Sequence, residues 1–487
     1  MLSFAISSKE IKDDIFIPKY YDTELKRDLA AFNQGRRVFV LGDLIDSGIV
    51  EVKTGDEIGK MAYGTGDIPF VRTSDISNWE IKAIPKQGVS YEIYKQYAQK
   101  QDVRPGDILM VKDGSYLIGV TCLVQEMDLP ILYQSHILKF RVIDDSLISS
   151  EELFLSLNSP IVQRQIRSFQ FTADIIDTIG NRYREIVISL PDEKTSQGIC
   201  EKLRIQQSTR VTNRMLIKQF PKLIEDSLAA ESALPFHEFT SLSFEEAKRL
   251  LVADTSALEF GNASTYVMSS SNVVDNIYIP KYYDPSITSD LKRLSSTCDL
   301  FSVSDLISKR ILELSTGDEI GKMAYDTGDI PFIRTTDFSN WELKHNVKQC
   351  VSQEIYDEYK DGEDVMSGDI LLVRDGSYLI GSTCLLTDKD TRILFCGGLI
   401  KIRCLDREYL NENLLMALLN SYIVKRQIRA KQFTRDIIDT LGNRFPEVIL
   451  PVPRKKSVRD QIANTVREIM SARVSARETI RSLAESF

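Results

Sequence analysis

A short acidic motif that occurs twice in the chain could cleave a phosphodiester bond. Glu80-Ile81-Lys82 follows Asp67 and Asp75, and the same arrangement returns at Glu342-Leu343-Lys344. An acid followed by Glu-x-Lys can hold Mg²⁺ and polarise a water molecule for hydrolysis. So short a pattern also arises by chance, where Glu and Lys alternate on the solvated face of a strand. A Mg²⁺-dependent nuclease is therefore one alternative for the function.

Signatures of other enzyme classes are missing from the sequence. It contains no GxGxxG after a strand, no phosphate-binding loop that ends in Lys-Ser or Lys-Thr, and no GxSxG or HExxH. The Asn- or Asp-Pro-Pro-aromatic tetrapeptide, with which amino-methyltransferases hold the target amine, is missing as well. The sequence therefore favours a non-catalytic function.

A second group of residues is suited to contacts with nucleic acid, because its basic and polar side chains can hydrogen-bond phosphates and base edges. For any single residue, a solvated helix face or a hairpin turn is about as plausible an explanation. We predict DNA contacts from Lys60, Tyr63, Arg72, Thr73, Asn78, Lys112, Ser115, Tyr116, Arg164 and Arg167, from their repeat counterparts Lys322, Tyr325, Arg334, Thr335, Asn340, Arg374, Ser377, Tyr378, Arg426 and Arg429, and from His136 and Lys425.

The elements that position these residues come from one long duplication with an offset of 262 residues. Thr54 to Glu80 returns at Thr316 to Glu342 with 4 changes in 27 positions, and Gly106 to Gly119 returns at Gly368 to Gly381 with 2 changes in 14. The hexapeptide IPKYYD also occurs twice at this offset. A period this long indicates two whole domains rather than a solenoid of short repeats.

The same offset places the domain boundaries. One piece of the chain occurs only once and is interpreted as a connector, in which Ser243 is expected to cap a short helix. We predict a first domain over residues 1–192, a central helical spacer over 193–225, the connector over 226–262, a second domain over 263–454 and a C-terminal coiled-coil helix over 455–487.

Local patterns predict that each repeat is a mixed α/β domain. Runs rich in β-branched and aromatic residues, bounded by Gly, Pro and Asp, are typical of strands. Ser159-Pro160 predicts the start of a helix that continues through Arg167, because Pro suits the first helical position. The strand-like runs of the first repeat are VFVLGDLI, DIPFVRTSDI, GDILMVKDG, TCLVQEM, SHILKFRVI and EIVISLP.

A long helix is predicted after each domain. The C-terminal helix has apolar residues at alternating spacings of three and four, which is the pattern of a coiled-coil seam. The central helix has a weaker seam, and Pro221 is expected to end or restart it. We predict that the seams dock partner subunits through Leu203, Met215, Ile462, Val466, Ile469 and Ile480.

Composition limits the remaining possibilities. A net charge of −9 argues against non-specific coating of nucleic acid, but not against a reader whose basic residues cluster locally. Seven cysteines without a CxxC pair, together with three histidines, predict neither a disulfide framework nor a metal site. No run reaches eighteen apolar residues, so no membrane contact is expected. We expect a cytoplasmic protein that binds no cofactor itself.

This layout resembles the specificity subunit of type I restriction–modification systems, or a closely related methylase-associated DNA-recognition subunit. GDIPFVRTSDI, GDILMVKDGS and an EIVISLP segment that leads into a helix look like the family's target-recognition domains and helical regions. DNIYIPKYYDP resembles the segment that opens such domains in related subunits. The resemblance covers nearly the whole chain outside 226–262. Where the family has a double proline and an acidic, glutamine-containing stretch, this chain has LPDEKTSQ and LPVPRKKS.

The resemblance implies both an architecture and a function. The two α/β target-recognition domains would be related by a pseudo-two-fold axis, and their long helices would pair as an antiparallel coiled coil. Each domain would read one half of a bipartite site in double-stranded DNA. The helices would dock two adenine-N6 methyltransferase subunits, which bring S-adenosylmethionine, and a translocating restriction subunit could complete a phage-defence complex. This chain itself would be non-catalytic.

Two alternatives stay open at this point. Mg²⁺-dependent cleavage by the isolated chain would favour the nuclease. A scaffold whose repeats bind a protein or another ligand is the third possibility, and the absence of a neighbouring methyltransferase gene would favour it.

The long identical blocks predict that the recognised DNA site is bipartite and partly palindromic. Domains with the same side chains at the groove should read similar bases, and a two-fold reader matches inverted half-sites. The copies differ where Gln134-Ser135-His136 aligns with Cys396-Gly397-Gly398, so we expect at least one base pair to be read in only one half. Mapping methylated adenines across the host genome checks this, and two half-sites without inverted similarity would contradict it.

Overall fold

The computed structural model describes residues 11–12, 15–114, 116–173, 176–230, 266–376, 378–435 and 438–487. The chain divides into two units of mixed α/β structure, each of which contains one copy of the repeat. Unit 1 comprises Met1–Val211 and Arg473–Phe487, and unit 2 comprises Thr212–Ala472. The boundaries drawn from the repeat stay predictions, and the helix expected at Ser243 lies outside the described residues.

Among its described residues, unit 1 contains short helices, thirteen strands and portions of both long helices. The long-helix portions are residues 193–211 of α6 (Glu193–Ala230) and residues 473–486 of the last helix, α12 (Lys456–Ser486). The short helices are α1 (Thr23–Phe32), α2 (Leu41–Asp46), α3 (Tyr91–Gln101), α4 (Ser150–Asn158) and α5 (Pro160–Phe169). The strands are β1 (Arg37–Val40), β2 (Val50–Thr54), β3 (Ile68–Val71), β4 (Ile76–Ser77), β5 (Glu80–Ile81), β6 (Gly88–Val89), β7 (Ile108–Val111), β8 (Thr121–Leu123), β9 (Leu132–Tyr133), β10 (Ile137–Val142), β11 (Phe171–Ala173), β12 (Ile176–Thr178) and β13 (Val187–Leu190).

An antiparallel sheet with strand order β2-β10-β7-β8 forms the centre of unit 1. In its register Phe140 of β10 lies opposite Val52 of β2 and Ile108 of β7. A three-stranded sheet has the order β6-β3-β9, in which β3 and β9 are parallel. Three antiparallel pairs, β1 with β13, β4 with β5 and β11 with β12, complete the β structure of the unit.

Side-chain caps define where the helices of unit 1 begin. Ser149 and Glu152 form a reciprocal capping box at the start of α4, which satisfies two backbone N–H groups that have no partner inside the helix. Helix α5 begins at Pro160 and continues past Arg167, which confirms the predicted helix. At the C-terminal end of α3, the buried ammonium group of Lys139 donates to the carbonyl oxygens of Gln101 and Asp102 at 2.6 and 2.8 Å. The carbonyl of Asp102 also accepts from Nη2 of Arg141, so that two basic side chains satisfy this end of the helix.

The hydrophobic core of unit 1 joins the α/β domain to both long-helix portions. Leu153 and Phe154 of α4 belong to the same buried cluster as Leu203 of α6 and Ile480 and Phe487 from the C-terminal end of the chain. Burial of apolar surface is the main driving force for such packing. The C-terminal helix is therefore part of the core of the first domain, although its residues lie almost 300 positions away in sequence.

Within unit 1 the two long-helix portions run antiparallel, as the resemblance predicts. The guanidinium of Arg210 donates to the carbonyl oxygen of Arg473 at 3.1 Å, and Arg473 returns a bond to the carbonyl of Arg210 at 3.4 Å. At the opposite end, Arg36 contacts the carbonyl oxygen of Phe487 and donates to that of Ser189 at 3.0 Å, just before α6 begins. Because Arg210 follows Ser189 whereas Arg473 precedes Phe487, the directions are opposite.

Two local predictions were wrong. VFVLGDLI was expected to be one strand, but β1 ends at Val40 and α2 begins at Leu41, whose N–H donates to the carbonyl of Ile186 at 2.9 Å. Short apolar runs do not distinguish strand from buried helix by periodicity. Pro221 was expected to interrupt the central helix, but α6 continues through it to Ala230. A helix in which the proline side chain is buried tolerates the loss of one backbone hydrogen bond.

Unit 2 repeats these elements. Its long-helix portions are residues 212–230 of α6 and 456–472 of α12. Its helices are α7 (Pro285–Leu294), α8 (Val303–Ser308), α9 (Gln353–Glu363), α10 (Glu412–Leu419) and α11 (Tyr422–Lys431). Its strands are β14 (Cys298–Ser302), β15 (Leu312–Thr316), β16 (Ile330–Ile333), β17 (Phe338–Ser339), β18 (Glu342–Leu343), β19 (Gln349–Val351), β20 (Ile370–Val373), β21 (Thr383–Leu385), β22 (Leu394–Phe395), β23 (Leu399–Cys404), β24 (Phe433–Arg435), β25 (Ile438–Thr440) and β26 (Ile449–Pro453).

The topology of unit 2 matches that of unit 1 strand for strand. Its central antiparallel sheet has the order β15-β23-β20-β21, and its three-stranded sheet has the order β19-β16-β22. On the helix portion of this unit, Phe220 packs edge-on against Trp341, with 4.8 Å between the ring centroids. The two copies therefore keep the same fold although their sequences differ.

One buried position has an amide side chain in unit 1 and a carboxylic acid in unit 2. In unit 1 the side chain of Gln101 accepts from the N–H of Tyr133 at 2.9 Å and donates to the carboxylate of Asp56 at 3.1 Å. The counterpart in unit 2 is Glu363, whose carboxylate accepts from the N–H of Phe395 at 2.9 Å. Burial raises the pKa of Glu363 to about 8. In the unfolded chain this carboxyl has its ordinary pKa near 4.5 and loses its proton above that pH. In folded unit 2 Glu363 keeps the proton up to about pH 8.

This difference predicts that Glu363→Gln stabilises the protein at alkaline pH. The stability of the wild-type protein should fall as the pH rises from about 5 to about 8, because the unfolded chain loses the proton first. The amide removes this loss, so we expect little change at pH 5 and a gain on the order of 2 kcal/mol at pH 8.5. Thermal unfolding at pH 5 and at pH 8.5 measures this change in stability. The mirror variant Gln101→Glu should show the opposite effect, and equal behaviour of both variants would contradict the assignment.

Candidate nucleic-acid interface

Three loops of unit 1 meet at Asp113, and we call this meeting point the Asp113 junction. The loop after β7 approaches the turn before β10, where the carbonyl oxygen of His136 accepts from the N–H groups of Lys112 and Asp113 at 3.0 and 3.4 Å. The same loop bonds to the β11–β12 hairpin, because the N–H of Gly114 donates to the carbonyl of Asp177 at 2.9 Å. Backbone bonds therefore fix all three loops against one another.

The carboxylate of Asp113 organises the side chains of this junction. It accepts from the hydroxyl of Thr178 at 2.5 Å, lies 3.0 Å from Nδ1 of His136 and lies 3.3 Å from the ammonium of Lys112. Burial alone would raise the pKa of Asp113, but the hydrogen bonds from Thr178 and His136 outweigh it, so that the pKa is lowered. Asp113 is therefore ionised at neutral pH and holds two nitrogen groups at the end of the loops.

Unit 2 has the equivalent Asp375 junction. The carbonyl oxygen of Gly398 accepts from the N–H groups of Arg374 and Asp375 at 2.9 and 3.2 Å, and the N–H of Gly376 donates to Asp439 at 2.9 Å. The carboxylate of Asp375 accepts from the hydroxyl of Thr440 and from Nε and Nη2 of Arg374 at 3.1 and 2.9 Å. The backbone arrangement is shared by both junctions, whereas the basic groups differ.

The predicted residues Arg72 and Thr73 and their counterparts lie beside these junctions. The N–H of Gln134 donates to the carbonyl of Val71 at 3.0 Å, which places the turn before β10 next to this segment. In unit 2 a Cβ atom at Gly398 would lie 3.0 Å from Cγ2 of Thr335. Three of the predicted positions in each copy, Arg72, Thr73 and Lys112 and then Arg334, Thr335 and Arg374, therefore fall in or beside one junction. Unit 1 adds His136.

Other predicted residues lie elsewhere on the loops or outside the described chain. Lys60 and Lys322 are exposed, and the rings of Tyr63 and Tyr325 pack on Phe70 and Phe332 with centroid distances of 5.7 and 5.6 Å. Tyr116 and Tyr378 are half-buried. Ser115 and Ser377 lie outside the described residues.

The structure corrects the prediction for Asn78, whereas that for Asn340 stays a prediction. Both have φ of 50°, and the following Trp79 and Trp341 also have positive φ, so that each pair forms the two-residue turn of a hairpin. Asparagine is favoured at such positions because it tolerates the left-handed conformation. Asn78 is fully buried and Asn340 is half-buried. Asn78 therefore shapes a turn and offers no surface to DNA.

Most basic side chains of α5 and α11 are engaged within their own unit. Arg164 donates to Asp28 of α1 at 2.7 Å, and Arg426 donates to Asp290 of α7 at 2.6 Å. The guanidinium of Arg429 donates to the carbonyl of Tyr378 at 2.7 Å. Burial lowers the pKa of Lys425 to about 8. Of the basic residues predicted to contact DNA on these two helices, Arg167 is exposed and Lys425 is half-buried, so their contact with DNA stays a prediction.

The six residues predicted to dock partners need a correction. Leu203, Ile462, Val466, Ile469 and Ile480 are at most 1% exposed, and Met215 is half-buried. Apolar seam residues reach this burial when the chain covers them itself. The side chains of the five buried residues therefore have no surface to offer a partner subunit, and the docking role of Met215 stays a prediction.

The residues of the candidate nuclease motif make hydrogen bonds within the fold of unit 1. Glu80 is 3% exposed, and its Oε1 accepts from Nη2 of Arg210 at 2.8 Å and from the guanidinium of Arg473. The carboxylate of Asp75 accepts from the N–H of Arg72 at 3.1 Å. Among the described residues no cluster of three or more His, Cys, Asp or Glu could hold a metal ion. The acid and Glu-x-Lys pattern therefore has a structural role in unit 1.

Sequence reasoning missed three functional candidates in each copy. Asp113 and Thr178, with Asp375 and Thr440, form the centres of the junctions, and their identity in both repeats was the available signal. The lysine of IPKYYD was missed as well. Lys19 and Lys281 are exposed, and the carboxylates of Asp177 and Asp439 at the hairpins act on them electrostatically.

Comparisons with known proteins gave matches only among solved structures. No family model matches the chain, and no curated protein matches it significantly. The crystal structure of the type I restriction–modification S subunit from M. genitalium matches with a TM-score of 0.34 and 12% identity, covering 92% of this chain and 93% of that chain. The HsdS subunit from Thermoanaerobacter tengcongensis matches with a TM-score of 0.27 and 15% identity, covering 93% and 95%.

A third match comes from a structural study of complex assembly and conformational transition of the type I restriction–modification system. It has a TM-score of 0.27 and 14% identity, and it covers 92% of this chain and 95% of that chain. The three matched structures are type I restriction–modification subunits.

The position of the IPKYYD lysines predicts that they contact phosphates. Lys19→Ala combined with Lys281→Ala should weaken binding of the assembled complex to all DNA sequences alike. The slope of log affinity against log salt should fall by about one unit for each phosphate that is no longer neutralised. Arg164→Ala is the control, because this arginine is paired with Asp28. An unchanged slope in the lysine variant would place the DNA elsewhere.

Proposed function

We propose that this chain is the non-catalytic DNA-recognition subunit of a type I-like restriction–modification complex in phage defence. The observation that carries the proposal is the junction in each unit, where an aspartate holds basic groups at the meeting point of three loops. Side chains with fixed donors and acceptors on loops are the means by which proteins read base edges in the major groove. The loops come from a rigid antiparallel sheet, which keeps their geometry constant.

The exposure of the junction groups supports contact with DNA. The side chains of Lys112, His136 and Arg374 are 23%, 36% and 26% exposed. They are ordered by hydrogen bonds on one side and accessible on the other, so little conformational entropy is lost when they bind. Because these basic groups are concentrated at the junctions, DNA binding there is compatible with a net charge of −9 for the whole chain.

The duplication supports a bipartite site. Each unit contains one junction with the same backbone bonds, so two separate stretches of double-stranded DNA would be read by one chain. Direct readout at two places agrees with a target made of two half-sites.

We propose that α6 and α12 dock two adenine-N6 methyltransferase subunits, which bring S-adenosylmethionine, while this chain holds no cofactor. Because the seam residues are buried, docking falls to the outer faces of the helices, where Ile205 is 58% exposed on α6. A large apolar side chain on a helix surface is a suitable anchor for a partner. A translocating restriction subunit would join the same complex, and the assembly would act in the cytoplasm. No helix in the described part of the chain is long and apolar enough to span a membrane.

The isolated chain is predicted neither to methylate nor to cleave DNA. We expect labelled S-adenosylmethionine to transfer its methyl group to DNA only when the chain and its methyltransferase are mixed, because recognition and catalysis lie on different subunits. Methyl transfer by the chain alone would contradict the proposal. Mg²⁺-dependent cleavage by the chain alone would favour a nuclease, and failure of the mixture to bind DNA would favour a scaffold.

A pair of variants on α6 tests whether Ile205 belongs to the docking surface. Ile205→Glu should weaken the complex with the methyltransferase, since it places a charge at the apolar anchor, while Thr209→Glu on the next turn should have a smaller effect. Analytical ultracentrifugation of the mixture measures both. Equal effects of the two changes would remove Ile205 from the docking surface.

A further inference from the structure

The two junctions carry different residues at two equivalent positions. Unit 1 has Lys112 and His136 where unit 2 has Arg374 and Gly398. In unit 1 both the ammonium and Nδ1 of the imidazole approach the same oxygen, Oδ2 of Asp113, at 3.3 and 3.0 Å. In unit 2 the single guanidinium places Nε and Nη2 on Oδ2 of Asp375 at 3.1 and 2.9 Å. One longer side chain thus supplies the contacts that two side chains supply in the other copy.

The groups that face away from the aspartate differ in their geometry. In unit 1 they are the ammonium of Lys112, a point charge without a fixed plane, and Nε2 of His136, which lies 3.9 Å from the carboxylate of Glu57. The free edge of Arg374, formed by Nη1 and the second hydrogen of Nη2, is a planar pair of donors.

This difference affects how strongly each copy can select guanine in the major groove. Two parallel N–H donors of an arginine pair with O6 and N7 of guanine, and the planar guanidinium fixes their direction, which an ammonium does not. The aspartate restricts the arginine to one orientation, and this increases the discrimination that a bidentate contact gives.

We infer that the exchange between Lys112/His136 and Arg374/Gly398 makes the two half-sites differ at one base pair, which unit 2 reads as guanine through Arg374 and unit 1 reads without that preference. This inference rests on the proposed function. It adds the residues that break the symmetry of the site and the base that unit 2 selects.

The direct test converts the first junction into the second. Lys112→Arg combined with His136→Gly reproduces the unit 2 residues on a backbone that has the same hydrogen bonds in both copies. The full chain, assembled with its methyltransferase, is incubated with DNA duplexes that are randomised across both half-sites, and the bound duplexes are sequenced. We expect the preference at one position of the unit 1 half-site to shift to guanine by about tenfold, which makes the whole site more palindromic.

Two further variants make the result decisive. Arg374→Lys removes the guanidinium from unit 2 and should reduce its guanine preference at one position by about tenfold, without changing the unit 1 half-site. It also serves as the test if the double variant does not fold. A Gly398→His change is avoided, because its Cβ would lie 3.0 Å from Thr335. Lys95→Arg makes the same exchange at an exposed lysine of α3, outside the junction, and should leave every preference unchanged.

The outcomes separate this inference from the proposed function. Unchanged base preferences in a junction variant that still binds specific DNA would overturn the inference and leave the function standing. The same holds for a shift that also occurs in Lys95→Arg. If the wild-type complex selects no sequence at all from the library, the proposed function fails and the inference with it.

Discussion

A buried cluster of three charged residues connects the α/β domain of unit 1 to both long-helix portions. Glu80, at the end of the β4–β5 hairpin, accepts from Arg210 of α6 and from Arg473 of α12, and all three side chains are at most 3% exposed. Removal of one partner from such a cluster leaves an uncompensated buried charge, which costs about 3–5 kcal/mol. The β4–β5 hairpin and the sheet that follows it therefore have a fixed position on these helices within the unit. Every loop of the Asp113 junction inherits its position from that attachment.

The attachment gives a structural use to a motif that is otherwise typical of catalysis. A carboxylate needs access to water and a metal ion if it is to cleave DNA. Glu80 instead binds two guanidinium groups through its Oε1, and the neighbouring Trp79 donates its indole N–H to the side chain of Asn158 at 3.0 Å. The hairpin is therefore a structural connector between the sheet, α4 and the long helices of unit 1.

The duplication shows which parts of the domain can change without loss of the fold. The backbone bonds around Asp113 recur around Asp375, and the helix-capping lysines Lys139 and Lys401 recur with their carbonyl partners. Changes between the copies are accommodated locally, as at Gln101 and Glu363, where the amide and the acid occupy the same buried position. The junctions can therefore vary at a few loop positions, because the backbone hydrogen bonds of the loops do not depend on those side chains.

The sequence by itself determined the duplication, the mixed α/β class, the helices that begin at Pro160 and near Thr195, and the location of most strands. These features follow from local periodicity and from identity between the repeats, which need no knowledge of distant contacts. The resemblance to type I specificity subunits came from the same strings. Arg72, Thr73, Lys112 and His136 were predicted one by one as DNA contacts. The structure places them in or beside one junction, and their contact with DNA stays a prediction.

Only the tertiary structure decided which polar residues are used inside the fold. Glu80 and Asn78 look as accessible in sequence as Lys112, but packing buries the first two, while the loops leave the lysine partly exposed. The seam residues Leu203 and Ile480 were expected to face a partner, and they lie instead in the core of unit 1. Burial depends on chain segments hundreds of residues apart, such as Arg473 beside Arg210. A local pattern can show that a residue is apolar or charged, but it contains no information about which distant segment covers it.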